Sequence, residues 1–359
     1  MLNSNQSATS SFYQQPNHQF DDFAIDDVLA DDEDLFTIRT ANTWLKQASK
    51  RPVPKMLFGK FWYEGELCIL FADSNLGKSI LAVQIANAIS IGESMEPFTY
   101  EAEAQPVLYF DFELTDKQFE ARYSANFKDH YDFTGNFYRA ELNPDIDIPP
   151  GFKDFDEYLN ACLERSIVQT NTKVLVIDNL TYLRGENEKA RDALPLMKHL
   201  KALKTRYGLS ILALAHTPKR DLSLEITRND LQGSKMLMNF CDSAFTIGES
   251  VTGKSMRYLK QIKQRNTHQV YGSNNICVCE INKPTNFLQY QFAGHGIEAD
   301  HLRKPKRSPN KGDNAEQVLE LRAEGKTLRE IGAMLGMSFQ KVDRIIKASQ
   351  TESEVIIPS

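Results

Sequence analysis

No apolar run in this sequence approaches the roughly 20 residues that a membrane-spanning helix needs, so no membrane partner is expected. Cysteines are few: Cys68, Cys162, Cys241, Cys277 and Cys279. They show no paired zinc spacing, and Cys277 and Cys279 fall on alternate positions of an apparent strand, which reads as packing. An odd count without a signal peptide argues for a reducing, cytoplasmic setting. Lysine and arginine are missing altogether from residues 1–36. That stretch opens on Asn, Ser, Gln and Thr, then turns acidic at Asp21, Asp22, Asp26, Asp27, Asp31, Asp32, Glu33 and Asp34. It has too little apolar area to offset its ordering entropy and is expected to be disordered. The net charge of −6 therefore misleads, because the rest of the chain is close to neutral or slightly positive. No internal repeat is present.

What is there is the composition of a globular protein, 359 residues with 41% hydrophobic and 25% charged. That length allows one large core and a small second domain. Residues 37–300 alternate β-rich runs with helical patterns. Strands are expected at Leu67–Ala72, Val107–Phe112, Val174–Asp178, Ile211–Ala215, Ser243–Ile247, Tyr258–Ile262 and Ile276–Ile281. The first four are continuous apolar runs, as in strands covered on both faces. Helices are expected at Ser79–Ile91, Thr115–Asn126, Phe155–Val168 and Ala190–Tyr207. The pattern predicts an α/β fold with a central, mostly parallel sheet flanked by helices, turning antiparallel where the last strands follow one another without helices. Residues 301–313 are basic and carry two prolines, a linker. Residues 314–349 show helical patterning, with helices expected at Ala315–Ala323, Leu328–Leu335 and Phe339–Lys347, and 350–359 form a tail.

The most specific signal is a strand ending at Ala72, a polar loop of Asp73, Ser74, Asn75 and Leu76, then Gly77, Lys78, Ser79 and Ile80 opening a helix. Backbone N–H groups of such a loop and helix start hold phosphate oxygens. Gly77 permits close backbone approach, Lys78 reaches the β- and γ-phosphates of ATP, and Ser79 ligates Mg²⁺. Ala72 stands where the usual pattern has its first glycine. Asp178 ends an apolar strand and is expected to hold Mg²⁺, its plainer alternative being a turn or cap aspartate. Glu113 follows another strand and is the choice to orient the attacking water, with Asp111 on the same face as competitor. His216 ends a third strand and can sense the γ-phosphate or merely lie at the surface.

Together these residues resemble the RecA-like P-loop ATPases, and within them the hexameric replicative helicases of the DnaB and plasmid RepA kind. The stretch from Asp111 to Arg122 is similar to the helicase segment with a catalytic glutamate and a trailing arginine, matched by Glu113 and Arg122. Tyr258–Asn266 is similar to a late helicase strand, on which Lys263 and Arg265 match the lysine and arginine that reach a neighbouring subunit's γ-phosphate. Two cations at i and i+2 share one face of a strand; the plainer alternative is a solvated basic edge. The resemblance implies a homo-oligomer, a hexamer, with active sites between subunits. It also implies single-stranded DNA in the ring channel, held by Lys219, Arg220, Arg228 and Lys235, although Asp221, Glu225 and Asp230 dilute that charge.

Residues 314–349 resemble a helix-turn-helix. Leu328, Ile331, Leu335, Val342, Ile345 and Ile346 supply a small core, Ala333 permits close helix packing, and Gly336 makes the turn. Ser338, Gln340, Lys341, Arg344 and Lys347 then face outward toward duplex DNA, with Arg303, Lys304, Lys306, Arg307 and Lys311 of the linker adding attraction. A helical bundle for protein contacts is the alternative. The function expected is an ATP-hydrolysing, DNA-associated motor of a plasmid or mobile element. A DNA-binding regulator without unwinding and a nucleotide-gated scaffold are its rivals.

Overall fold

The computed structural model describes residues 36–143, 145–183, 193–231, 234–304 and 311–354, without the side chains of 193, 234, 235, 311–314, 348 and 350–354. Several expectations lie outside these: the acidic stretch up to residue 35, the start of the helix expected from Ala190, linker residues Lys306 and Arg307, the side chains of Lys235 and Lys311, and residues 355–359.

The chain divides into residues 1–54 and 55–359. The first unit holds α1 (Ala41–Ala48), whose start is capped by Thr40 accepting from the Thr43 N–H at 3.2 Å. None of the residues of α1 is buried.

The second unit begins with a hairpin of β1 (Met56–Phe58) and β2 (Trp62–Tyr63). Next come β3 (Leu67–Ala72), α2 (Lys78–Ile91), β4 (Val107–Asp111) and α3 (Asp116–Arg122). A short hairpin of β5 (Ser124–Ala125) and β6 (Asp129–His130) leads to β7 (Phe137–Ala140), α4 (Phe155–Gln169) and β8 (Val174–Asp178). Then follow α5 (Ala193–Tyr207), β9 (Ser210–His216), α6 (Ser234–Phe240), β10 (Ser243–Glu249), β11 (Met256–Lys263), β12 (Ile276–Asn282) and β13 (Gln289–Gly296). Nine strands make one sheet in the order β13-β12-β11-β10-β3-β9-β8-β4-β7. From β10 to β7 the neighbours are parallel. From β10 outward to β13 they are antiparallel, as the sequence leads one to expect.

Alternate residues of the central strands feed two cores. Leu70, Tyr109, Val176 and Leu214 pack with Leu81, Ile85 and Ile89 of α2 on one face. Ile69, Leu108, Leu175 and Ala213 pack with Leu163 of α4 and Leu200 of α5 on the other. Burial on both faces explains why these strands read as unbroken apolar runs. The two strands without a sequence signal, β7 and β13, are the sheet's edges. Apart from the buried Tyr290, their residues are partly buried or exposed, so neither needed an apolar run. The helix expected over Thr115–Asn126 stops at Arg122 because β5 takes over at Ser124.

Beyond the sheet, α7 (Lys311–Ala323), α8 (Leu328–Leu335) and α9 (Phe339–Glu354) enclose their own core of Val318, Ile331 and Val342, with Leu328, Leu335, Ile345 and Ile346 against it. Thr327 and Glu330 form a capping box at the start of α8, and Gly336 ends it in the left-handed conformation at φ 63°. The close approach falls on Gly332, not on Ala333. Ala333 is exposed, whereas a Cβ on Gly332 would lie 2.6 Å from the Met337 carbonyl oxygen. No helix of the described residues is long and apolar enough to cross a membrane.

Candidate active site

Adjacent strands bring four chain segments to one edge of the sheet. Ala72 at the end of β3 pairs with His216 at the end of β9, and Asp178 at the end of β8 pairs with Asp111 at the end of β4. The crevice beyond the carboxyl ends of parallel strands is where open α/β sheets bind ligands.

The loop after β3 turns through Asn75 at φ 62° and Gly77 at φ 92°, both left-handed. Gly77 caps α2 without a side-chain hydrogen bond, which leaves the first-turn N–H groups for an anion. Ala72 sits in regular strand, fully buried, so a glycine there is not required. A cleft of about 500 Å³ opens at this loop, lined by Ser74, Asn75, Gly77, Lys78, Ser79, Ile80, Glu113, Arg122 and His216. Asp73 turns away from it, accepting from the Thr217 hydroxyl.

Lys78 is buried, donating from Nζ to the carbonyl oxygens of Ala72 at 3.1 Å and Asp73 at 3.2 Å and to His216 Nδ1 at 3.1 Å. Burial lowers its pKa, while Asp178, Glu113 and Asp73 oppose that shift. An ammonium only donates, so His216 Nδ1 accepts and Nε2 carries the ring proton. That proton faces Glu113 Oε1 at 3.4 Å. Asn179 Nδ2 donates to the same Glu113 oxygen. The hydrogen bond from His216 is the main reason the Glu113 carboxyl is held below its ordinary range. Glu113 is thus an ionised, oriented acceptor at the cleft, as a base for water must be.

Asp111 is engaged elsewhere. Its carboxylate is buried, accepts from the Glu113 and Leu114 N–H groups at 3.2 and 2.9 Å, and pairs with Arg139 at 2.9 Å. It shapes the turn that presents Glu113.

Asp178 is fully buried, and its Oδ2 accepts from the Tyr109 hydroxyl at 2.7 Å. Burial lifts it to about 6, with the Ser79 and Tyr109 hydroxyls pulling the other way. Its Oδ1 has no hydrogen-bond partner. A buried, unsatisfied carboxylate oxygen beside Ser79 fits a hard divalent cation. Among the described residues no group of three or more His, Cys, Asp or Glu could hold a metal alone, so nucleotide oxygens and water would complete the shell.

Arg122 ends α3 at the cleft, and its Nη1 is buried without a partner. Lys263 and Arg265 are not brought to the cleft of their own chain. Lys263 lies opposite Ala244, at the start of β10. Lys263 donates to the carbonyl oxygens of Met238, in the last turn of α6, and of Cys241 just after it, and Arg265 pairs with Asp242 at 3.2 Å while half exposed. Of the channel candidates, Lys219 and Arg228 are exposed. Arg220 is not: its side chain is 8% exposed, lies 4.0 Å from Asp73, and donates to Leu224 O at 3.0 Å. It braces the phosphate loop instead of facing a channel. On α9 and its N-terminus, Ser338, Gln340, Lys341, Arg344 and Lys347 are exposed, and Lys347 pairs with Asp343.

Sequence reasoning passed over Asn179, Tyr109, Arg139 and Tyr290. Only Asn179 had a local signal, directly after Asp178. Tyr109 lies on β4 two residues before Asp111 and reaches Asp178 on the neighbouring strand, while Arg139 and Tyr290 come from the edge strands β7 and β13.

A family model described as AAA domain matches residues 35–221, more than half of the chain. Among solved structures, a KaiC-like protein, PH0186, from Pyrococcus horikoshii OT3 is similar, at 14% identity and a TM-score of 0.43 over 64% of this chain and 90% of that chain. No curated protein matches the sequence.

Proposed function

The chain belongs to the AAA domain family and is a P-loop ATPase; from that premise we propose that it is a DNA-associated motor, a hexamer that translocates on or unwinds DNA. One observation carries the hydrolytic part: Lys78 bonds His216, and His216 and Asn179 both donate to Glu113, around a single cleft. Glu113 orients and deprotonates the attacking water, and Asn179 and His216 hold its carboxylate in place. Lys78 and the loop N–H groups take up the charge of the phosphates, with Arg122 adding a cation from the same chain. Mg²⁺, held by Ser79 and Asp178, would neutralise charge on the nucleotide. Lys263 and Arg265 act on a neighbour's γ-phosphate; the exposure of Arg265 supports that reading.

DNA is the partner that the basic exposed residues favour. Lys219 and Arg228 contact single-stranded DNA in the channel, and the exposed face of α9, following a glycine turn after α8, enters duplex DNA as in a helix-turn-helix.

Single-stranded DNA is expected to stimulate ATP hydrolysis several-fold, Lys78→Ala to abolish it, and the wild type to displace one strand of a forked duplex. Site-specific duplex binding with neither stimulation nor displacement would instead identify a regulator. Failure to bind either form of DNA at moderate salt would leave a nucleotide-gated scaffold.

A further inference from the structure

Tyr290 lies on β13, yet its ring covers Gly77 and its hydroxyl donates to the Leu76 carbonyl oxygen. The residue is 5% exposed. Gln84 of α2 fixes it from behind: Gln84 Nε2 donates to Tyr290 O at 3.0 Å, and the Tyr290 N–H donates to Gln84 Oε1 at 2.7 Å. A Cβ on Gly77 would lie 2.8 Å from the Tyr290 hydroxyl and 2.9 Å from Ile281 Cδ1. Gly77 is therefore demanded by its φ of 92° and by these two side chains, before any phosphate arrives.

The Leu76–Gly77 peptide is not among the chain's cis bonds, so its N–H points opposite to its C=O. With the Leu76 oxygen held against β13, the Gly77 N–H turns away from β13, toward the cleft that Gly77 lines. A flipped peptide would offer the carbonyl oxygen to the phosphates instead, replacing an attraction with a repulsion.

We propose that Tyr290 is a positioning residue for nucleotide binding. Its hydroxyl holds the Leu76–Gly77 peptide in the orientation that gives the Gly77 N–H to the β-phosphate of a nucleoside di- or triphosphate. This rests on the ATPase reading above and deepens it. Tyr290 touches none of Glu113, Asn179, His216 or Asp178, so it governs affinity and not the rate of the chemical step.

Tyr290→Phe keeps the ring on Gly77 and removes only the hydroxyl. Its Kd for a fluorescent ADP, and its KM for ATP, are expected to rise about tenfold, the loss of one hydrogen bond to a charged group. Its kcat should stay within about twofold of the wild type. Gln84→Ala, which releases Tyr290 from α2 without touching the hydroxyl, should shift Kd and KM in the same direction. Ile281→Ala removes the other side chain over Gly77 and leaves the Leu76 oxygen bonded; it should lower Tm yet leave ADP affinity within about twofold. Wild-type ADP affinity in Tyr290→Phe, or an equal loss in Ile281→Ala, would overturn the proposal. Wild-type protein that binds no ADP would sink the ATPase reading beneath it, a separate result.

Discussion

Asp178 is a fully buried carboxylate at the site. Burial raises its carboxyl from the ordinary 3.8 to about 6, so the folded state binds that proton more tightly than the unfolded chain does. The stability this contributes is complete below about pH 4 and is lost as pH rises through about 6. Above that, an unneutralised buried charge strains the nucleotide-free protein. Asp178→Asn is therefore expected to resist urea better at pH 7.5 without ligands, by on the order of 2–3 kcal/mol. It should also lose Mg²⁺-dependent hydrolysis by more than about tenfold. Unchanged stability at pH 7.5, with an unchanged fall between pH 4 and 7, would contradict this account. In the wild type, apparent Mg²⁺ affinity should weaken as pH drops from 7 to 5, because protonated Asp178 cannot ligate a cation. The carboxylate choice is also a residue-scale matter. Glu113 and Asp111 look equivalent along one strand, and the Arg139–Asp111 pair separates them.

Among the elements, α8 shows how little sequence distance separates a tight contact from an open one. Thr327, Glu330, Ile331 and Gly336 give it a capped start, a buried anchor and a left-handed stop, all visible as sequence signals. The small residue that matters is one position earlier than the pattern suggests. Gly332→Ala would push a Cβ against the Met337 carbonyl oxygen at 2.6 Å, a backbone atom that cannot swing aside. It is expected to cost about 1–3 kcal/mol, read as faster hydrogen exchange in α8 and α9 with ATP hydrolysis unchanged. Ala333→Ser, on the exposed neighbour, should stay within about 0.5 kcal/mol of the wild type. Equal effects at the two positions would refute the packing assignment.

At the scale of the whole molecule, the question is whether the cleft is complete in one chain. Lys78, Glu113, His216, Asn179 and Asp178 come from four neighbouring strands of one sheet, whereas Arg265 lies at the other end of the strands. If Arg265 serves a neighbour, Arg265→Ala and Glu113→Gln proteins should each be inactive alone yet recover activity when mixed. At equal ratio about a quarter of head-to-tail interfaces would pair an intact glutamate with an intact arginine. No recovery at any ratio would remove Arg265 from the site.

The sequence by itself determined the phosphate loop, the acids and histidine at the strand ends, and the alternation of parallel strands with helices. Those features are local: Gly77, Lys78 and Ser79 adjoin, and each central strand declares itself by burial on both faces. The tertiary structure decided what depends on pairing across long stretches of chain. The edge strands β7 and β13 bury too little to announce themselves. Yet β7 brings Arg139 to Asp111 and β13 brings Tyr290 to Leu76. Arg220 had the composition of a DNA contact, and only the fold turned it onto Asp73. Proximity along the chain fixes backbone shape, but which charges are neutralised and which peptide is held depends on residues 28, 147 and 214 positions away, brought together only by the fold.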